Sequence, residues 1–305
     1  MELRHIRYFM AVAEEGGFTR AAGRLGIGQP PLSQQIKDLE REIGVALFHR
    51  VPRGAELTSA GAAFLKIIQS VPGQVRSAAE AARRAARGET GSLRIGFTGS
   101  GAFNNLVPSI IRAYRRAAPG VELTLEESNS NGLVAALREG TLDVAFLRPA
   151  AVSEDGLRFR VVAEEPMVAA LPAGHPLVAR GREAGLYLAD LADEPFILTP
   201  RNLGPSLYDT IVHACRAAGF EPRTGQAAPQ IASVLSLVSA EFGVAVVPAS
   251  MRDAMAHGIA YIDLRPPAPV AALAFATRRG DRAPAVAAFS SLVLQHTTHQ
   301  SAAVR

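Results

Sequence analysis

Gln29, Ser33, Gln34 and Lys37 share one short stretch with Leu32, Ile36, Leu39 and Ile43, apolar residues that recur at spacings of four, three and four. That spacing predicts a helix with the apolar residues on one stripe and Ser33, Gln34 and Lys37 facing outward. Glutamine can pair bidentately with adenine and serine can donate or accept, so this face suits the edges of base pairs. Pro30 and Pro31 fall in the first turn, where a missing N–H costs least. Downstream, Arg50 and Arg53 belong to a basic segment at 49–54 and suit phosphates or a narrow minor groove. The candidate DNA-facing set is Gln29, Pro30, Pro31, Ser33, Gln34, Lys37, Arg50 and Arg53.

The elements that must hold this face are legible around it. Leu3, Ile6, Phe9, Met10 and Ala13 predict an amphipathic helix over 3–13. Gly16-Gly17 breaks it, and a short helix over 18–25, with the small pair Ala21-Ala22, leads to the turn Gly26-Ile27-Gly28. Residues 44–58 read as a short hairpin, or wing. A helix, a glycine-containing turn and a second helix with small polar residues at its start have the geometry that enters a major groove. Generic three-helix units share that outline. Residues 1–90 hold 13 Arg and Lys against 9 Asp and Glu, while the remainder holds 19 of each, so the net charge of +4 lies in this part. Positive charge confined to one small domain suggests a polyanionic partner.

From Thr58 or Ser59 a long helix is expected to about Arg87. Its Phe64, Ile68, Val71, Val75, Ala78, Ala82 and Ala85 alternate in steps of four and three, a heptad seam that pairs with a second copy or packs on its own domain. Pro72 should kink or interrupt it. After a linker at 88–92 the texture changes. Short apolar runs at 93–97, 121–125, 142–147, 166–171, 244–247 and 270–276 alternate with helical stretches at 106–116, 133–139, 207–218 and 231–241. This predicts an α/β architecture with covered, largely parallel sheets, ending in a polar tail after about Gln295.

At 305 residues the chain is about twice the usual size of one domain, and 48% hydrophobic with 20% charged residues is an ordinary globular composition. No run of about 18 uncharged apolar residues occurs, and no apolar segment follows the charged start; both predict a cytoplasmic protein. Cys215 is the single cysteine, in a mostly apolar helical stretch that predicts a buried core thiol. The seven histidines are scattered without His-Glu-x-x-His spacing, so no metal or cofactor is expected. His296 and His299 lie in the polar tail and should be solvent-exposed. No Gly-x-Ser-x-Gly elbow appears, and the glycine-rich 98–101 lacks the lysine of a phosphate-binding loop. The rival readings are an exported solute-binding module, against which the missing signal segment and basic front count, and an α/β enzyme, for which no catalytic pair is visible.

The run Phe18-Thr19-Arg20-Ala21-Ala22, then Gln29-Pro30-Pro31-Leu32-Ser33-Gln34-Gln35-Ile36, Leu39-Glu40, Gly44-Val45-Ala46-Leu47-Phe48-His49-Arg50 and Leu57-Thr58-Ser59-Ala60-Gly61, resembles a LysR-type transcriptional regulator. The resemblance is dense over about the first 65 residues. It implies a winged helix-turn-helix at 1–58, a dimerising linker helix at 59–88 and an effector-binding domain at 91–295. That domain would comprise two α/β subdomains similar to a periplasmic binding protein, the first over 91–163 and 268–295 and the second over 164–267, with two crossing strands as a hinge. It further implies promoter DNA as partner and a homotetramer built from dimers. Many members carry arginine where this chain has Gln34, which puts that residue's role in doubt.

In such a two-subdomain sensor the ligand lies in the cleft, held by strand ends and helix N-termini whose free N–H groups favour carboxylates. Four places fit: 98–101, 128–131, 199–202 and Gln230. By the resemblance, effector contacts fall on Thr98, Ser100, Ser128, Asn129, Thr199, Pro200 and Asn202, with Arg148 and Gln230 beside them. Singly, each Ser, Thr or Asn reads as an ordinary helix N-cap before it reads as a ligand contact; only the set of loops favours a pocket. Arg148 either meets a ligand carboxylate or pairs with an acid of the same domain. The run Gln29-Pro30-Pro31-Leu32-Ser33 resembles regulators of aromatic-compound breakdown, which points to a small aromatic or dicarboxylic acid.

Overall fold

The computed structural model describes the chain except residues 53, 150–155, 255–256 and 304–305, and for 298–303 the backbone alone. The chain divides into two compact units, Met1–Arg83 and Arg84–Arg305.

The first unit runs α1 (Leu3–Glu15), α2 (Phe18–Leu25), α3 (Gln29–Ile43), β1 (Phe48–Val51), β2 (Gly54–Leu57), α4 (Ser59–Ile68) and α5 (Val71–Ala86). Gly16 and Gly26, at φ 61° and 68°, end the first two helices in the left-handed conformation that glycine adopts freely. The apolar stripe of each helix meets in one core. Leu32, Ile36 and Leu39 of α3 are fully buried there with Phe9 and Val12 of α1 and Ala21 of α2. Phe9 lies at its centre, 4.9 Å from the Phe48 ring and 5.0 Å from that of Phe64. β1 and β2 pair antiparallel as a hairpin. Gly54, at φ 147°, brings the hairpin against the first helix break: the amide of Ala55 donates to the Gly16 carbonyl at 3.0 Å, which a Cβ at residue 54 would strike.

The expected long helix is divided. Thr58 caps α4, its hydroxyl oxygen accepting from Gly61 N at 2.9 Å. The chain then turns at Gln69-Ser70, so Pro72 lies in the first turn of α5, where its missing N–H breaks no bond. The seam divides with it. Phe64, Ile68 and Val71 pack on the core of their own unit, whereas no residue of α5 is buried and Val75 is 43% exposed.

The second unit contains β3 (Thr90–Phe97), α6 (Gly99–Ala102), α7 (Leu106–Ala117), β4 (Gly120–Glu127), α8 (Ser130–Glu139), β5 (Val144–Leu147), β6 (Leu157–Pro172), α9 (Leu177–Ala184), β7 (Pro195–Leu198), α10 (Pro205–Ala217), β8 (Arg223–Ala227), α11 (Ile231–Ser239), β9 (Ala245–Pro248), β10 (Ile259–Asp263), β11 (Val270–Arg278) and α12 (Pro284–Ala303). The main sheet has the order β10-β6-β11-β5-β3-β4, with β9 also on β6, and β7 pairs with β8. This corrects the expectation of largely parallel sheets: β3 is parallel to β4 and β5, but β6 and β11 are antiparallel to each other and to their other partners. The two strands that cross between subdomains impose that change of direction. β6 pairs with β11 up to Pro166 and with β9 and β10 from Met167 onward.

Two α/β subdomains result. One core gathers Ile95, Ile110, Phe146, Phe275 and Phe289; another gathers Leu171, Phe196, Cys215, Val246 and Ile262. The stretch expected to be a polar tail is instead the end of α12, and His296 is half-buried, its Nδ1 3.1 Å from the Leu292 carbonyl. Replacing Phe9 with alanine removes the ring that links α1, the hairpin and α4. The expected cost is about 3–5 kcal/mol to the first unit, read as a lowered thermal midpoint together with lost DNA retention.

Candidate functional site

The helix-turn-helix face is built by α2, the Gly26-Ile27-Gly28 turn and α3. Because the apolar stripe of α3 is anchored, Pro30, Pro31, Gln34 and Lys37 are exposed, with Gln29 and Ser33 half-buried at the same end. The hairpin is fixed to α3 by Glu40, whose Oε1 accepts from the amides of Leu47 at 2.8 Å and Phe48 at 3.1 Å. Arg50 on β1 is exposed and poised between both elements: its Nη2 donates to Ser33 Oγ at 2.8 Å and its guanidinium lies 5.2 Å from the Phe18 ring centroid. Gln34 donates to Asp38 Oδ1 at 2.9 Å, so its amide is partly engaged along the helix. Arg53 lies outside the described residues. The pattern of spacing did not reveal Glu40, whose bonds depend on where the chain goes after the helix.

In the second unit a cavity of about 370 Å³ opens where strand ends and helix starts converge, and seven of the nine expected effector residues line it: Thr98, Ser100, Ser128, Asn129, Arg148, Thr199 and Gln230. Pro200 and Asn202 do not line it; the Asn202 carbonyl instead accepts from Asn131 Nδ2 at 2.7 Å. The cavity also takes in Gly99 and Ser130 of the expected loops, together with Glu127, Leu203, Gly204, Leu207, Pro229 and Ile231, which sequence reasoning did not single out. Their neighbours' positions at strand ends are the only signal that could have found them.

Several wall residues do cap helices. Thr98 Oγ1 accepts from Gly101 N at 3.2 Å and Asn129 Oδ1 from Gly132 N at 2.9 Å. Capping uses an acceptor and leaves the Thr98 hydroxyl proton and the Asn129 amide donors in place. Ser128, Thr199 and Gln230 have no side-chain hydrogen-bond partner among the described residues. The wall is therefore rich in donors.

Arg148 is the buried charge of the site, 2% exposed. Nη2 pairs with Glu165 Oε1 at 2.7 Å and meets the Ser100 carbonyl at 3.3 Å, and Nε donates to Ser100 Oγ at 3.3 Å. Its Nη1 is buried with no partner among the described residues. Glu165 also accepts from Asn104 Nδ2 at 3.2 Å and from Ser250 N at 3.0 Å. Burial alone would push its carboxyl up, but the Arg148 guanidinium and the hydrogen bond from the Ser250 amide outweigh that and hold it below the usual glutamate range.

A winged helix-turn-helix joined to a two-subdomain α/β unit with a donor-lined cavity defines a transcription regulator with an effector-binding domain. The chain belongs to the LysR family: the bacterial regulatory helix-turn-helix protein, lysR family, matches residues 3–62 and the LysR substrate binding domain matches 86–298. It is a regulator and not an enzyme. It is 41% identical to the HTH-type transcriptional regulator BudR of Raoultella terrigena over 289 residues, 95% of this chain and 99% of that protein. The crystal structure of full-length CbnR complexed with its target DNA superposes with TM-score 0.81 at 28% identity, covering 97% of this chain and 100% of that one. The BenM effector binding domain with its effector benzoate superposes with TM-score 0.60 at 27% identity, covering 69% of this chain and 94% of that one. Among the described residues no helix is long and apolar enough to cross a membrane.

Arg148→Met strands Glu165 as an unpaired buried charge and should cost about 3–5 kcal/mol, with part of the loss recovered when Glu165→Met is added; thermal unfolding of both variants checks this. Because the folded value of Glu165 is depressed, its stabilisation is complete above the ordinary 4.5 and disappears as pH falls through the lower folded value. Glu165→Gln should therefore flatten the acid limb of the stability profile, and an unaltered limb would reject the pairing as its source.

Proposed function

We propose that this regulator reads promoter DNA through Gln29, Pro30, Pro31, Ser33, Gln34 and Lys37 at the start of α3, with Arg50 and Arg53 of the wing on the backbone. A small carboxylate held between the two subdomains sets its state. The observation that carries the carboxylate reading is Arg148, the cation of the cavity wall, whose buried Nη1 has no partner among the described residues, while the other polar side chains of the wall, Glu127 apart, are neutral. The benzoate in BenM supports an aromatic acid as the first candidate, and the target DNA in the CbnR complex supports the α3 assignment.

Closure of the subdomains about β6 and β11 would couple the cavity to the rest of the molecule, because Arg148 follows β5 while its partner Glu165 lies on β6 and in turn accepts from Ser250 after β9. The unburied apolar side of α5 favours pairing with a second copy, giving a dimer through 59–88 and a tetramer of two such dimers. The protein so read works in the cytoplasm.

Arg50→Ala should weaken binding to every duplex sequence and lower the slope of log affinity against log salt by about 1, measured by fluorescence anisotropy, whereas Gln29→Ala should relax sequence preference with the slope intact. For the cavity, Thr98→Val and Thr199→Val should reduce the thermal shift given by small acids, benzoate first, and leave DNA affinity unchanged. A full response in both variants would mean that the effector binds elsewhere.

A further inference from the structure

The cavity holds one group that a simple anion receptor has no use for. Glu127, the last residue of β4, contributes its carboxylate to the wall and has no hydrogen bond or ion pair among the described residues. Gly99 makes the position available: a Cβ there would stand 2.8 Å from Glu127 Oε1. The same point is 3.4 Å from Ile231 Cγ2 at the start of α11, so the carboxylate rests where the two subdomains face each other. No cation answers it. Arg148 is the one cationic side chain among the described lining residues, and it is engaged by Glu165.

The polar wall thus has two kinds of chemistry. Thr199, Ser128 and Gln230 offer donors, and an ionised carboxylate can only accept. A ligand with a single anionic group leaves Glu127 without a complement, and a ligand with a second carboxylate near it sets like charges side by side, which complementary sites avoid. We propose that the effector carries a hydroxyl or ammonium group beside its carboxylate, and that Glu127 accepts a hydrogen bond from that group. Glu127 is then the residue that selects hydroxy or amino acids over plain acids and dicarboxylates. This inference rests on the reading of the cavity as the effector site.

The test uses the full-length protein and two matched sets of acids that differ only at the carbon next to the carboxylate. One set is 3-phenylpropionate, 3-phenyllactate and phenylalanine; the other is propionate, lactate and alanine. Titration calorimetry should show, in at least one set, the hydroxy or amino compound binding about tenfold more tightly than the plain acid, a modest preference for a hydrogen-bonding site because Glu127 keeps access to water. Glu127→Ala should erase that preference without weakening the plain acid. Glu127→Gln separates the two donors, since an amide oxygen still accepts from a hydroxyl but no longer pairs with an ammonium charge. A plain acid that binds as well as its substituted partners in both sets, or a preference that survives Glu127→Ala, overturns the proposal. In that event a plain-acid signal abolished by Thr199→Val leaves the cavity reading standing. No binding by any of these acids at millimolar concentration overturns both.

Discussion

A guanidinium withdrawn from water must be met by charge and hydrogen bonds, and in the effector-binding unit that requirement holds four segments in register. Arg148 follows β5, Glu165 lies on β6, Asn104 precedes α7 and Ser250 follows β9, and all four meet at one carboxylate. An isolated buried charge is costly by several kcal/mol, so none of these segments moves without the others being re-paired. Glu165 lies one residue before Pro166, where β6 exchanges one set of partners for another. The floor of the cavity and the crossing between subdomains are therefore one polar assembly.

A smaller version of the same logic organises the DNA-binding unit. The carboxylate of Glu40 accepts two wing amides, and Arg50 spans from the wing to Ser33 on α3. Helix and hairpin are thereby presented as a single surface. Its hydrophobic support is the Phe9, Phe48 and Phe64 cluster behind it. On that surface Gln34 is held along α3 by its hydrogen bond to Asp38.

The parts visible in the sequence were those set by local rules. The stripe of Leu32, Ile36 and Leu39 placed α3 and its outward face, Pro72 foretold the break that separates α4 from α5, and strand ends marked the loops 98–101 and 128–131, within which the family resemblance singled out Thr98 and Ser128. What stayed hidden depends on contacts between residues far apart in the chain. Glu127 and Glu165 are ordinary acids until strand register brings one over Gly99 and the other under Arg148. β8 escaped because all five of its residues are exposed, which leaves no alternation to detect. The direction of β6 and β11 could not follow from apolar runs either, since such runs carry no information on the neighbour's polarity.

Cys215 is fully buried on α10 in the second subdomain, and burial pushes its thiol up to about 12. A sulfur in that state neither ionises at physiological pH nor meets reagents from solution, so oxidants pass the native molecule by. It becomes reactive only when the core around Phe196 and Ile262 opens. The chain thus carries a single built-in label for that event: the rate at which a thiol reagent modifies it reports how often this half of the sensor comes apart, with and without a bound effector.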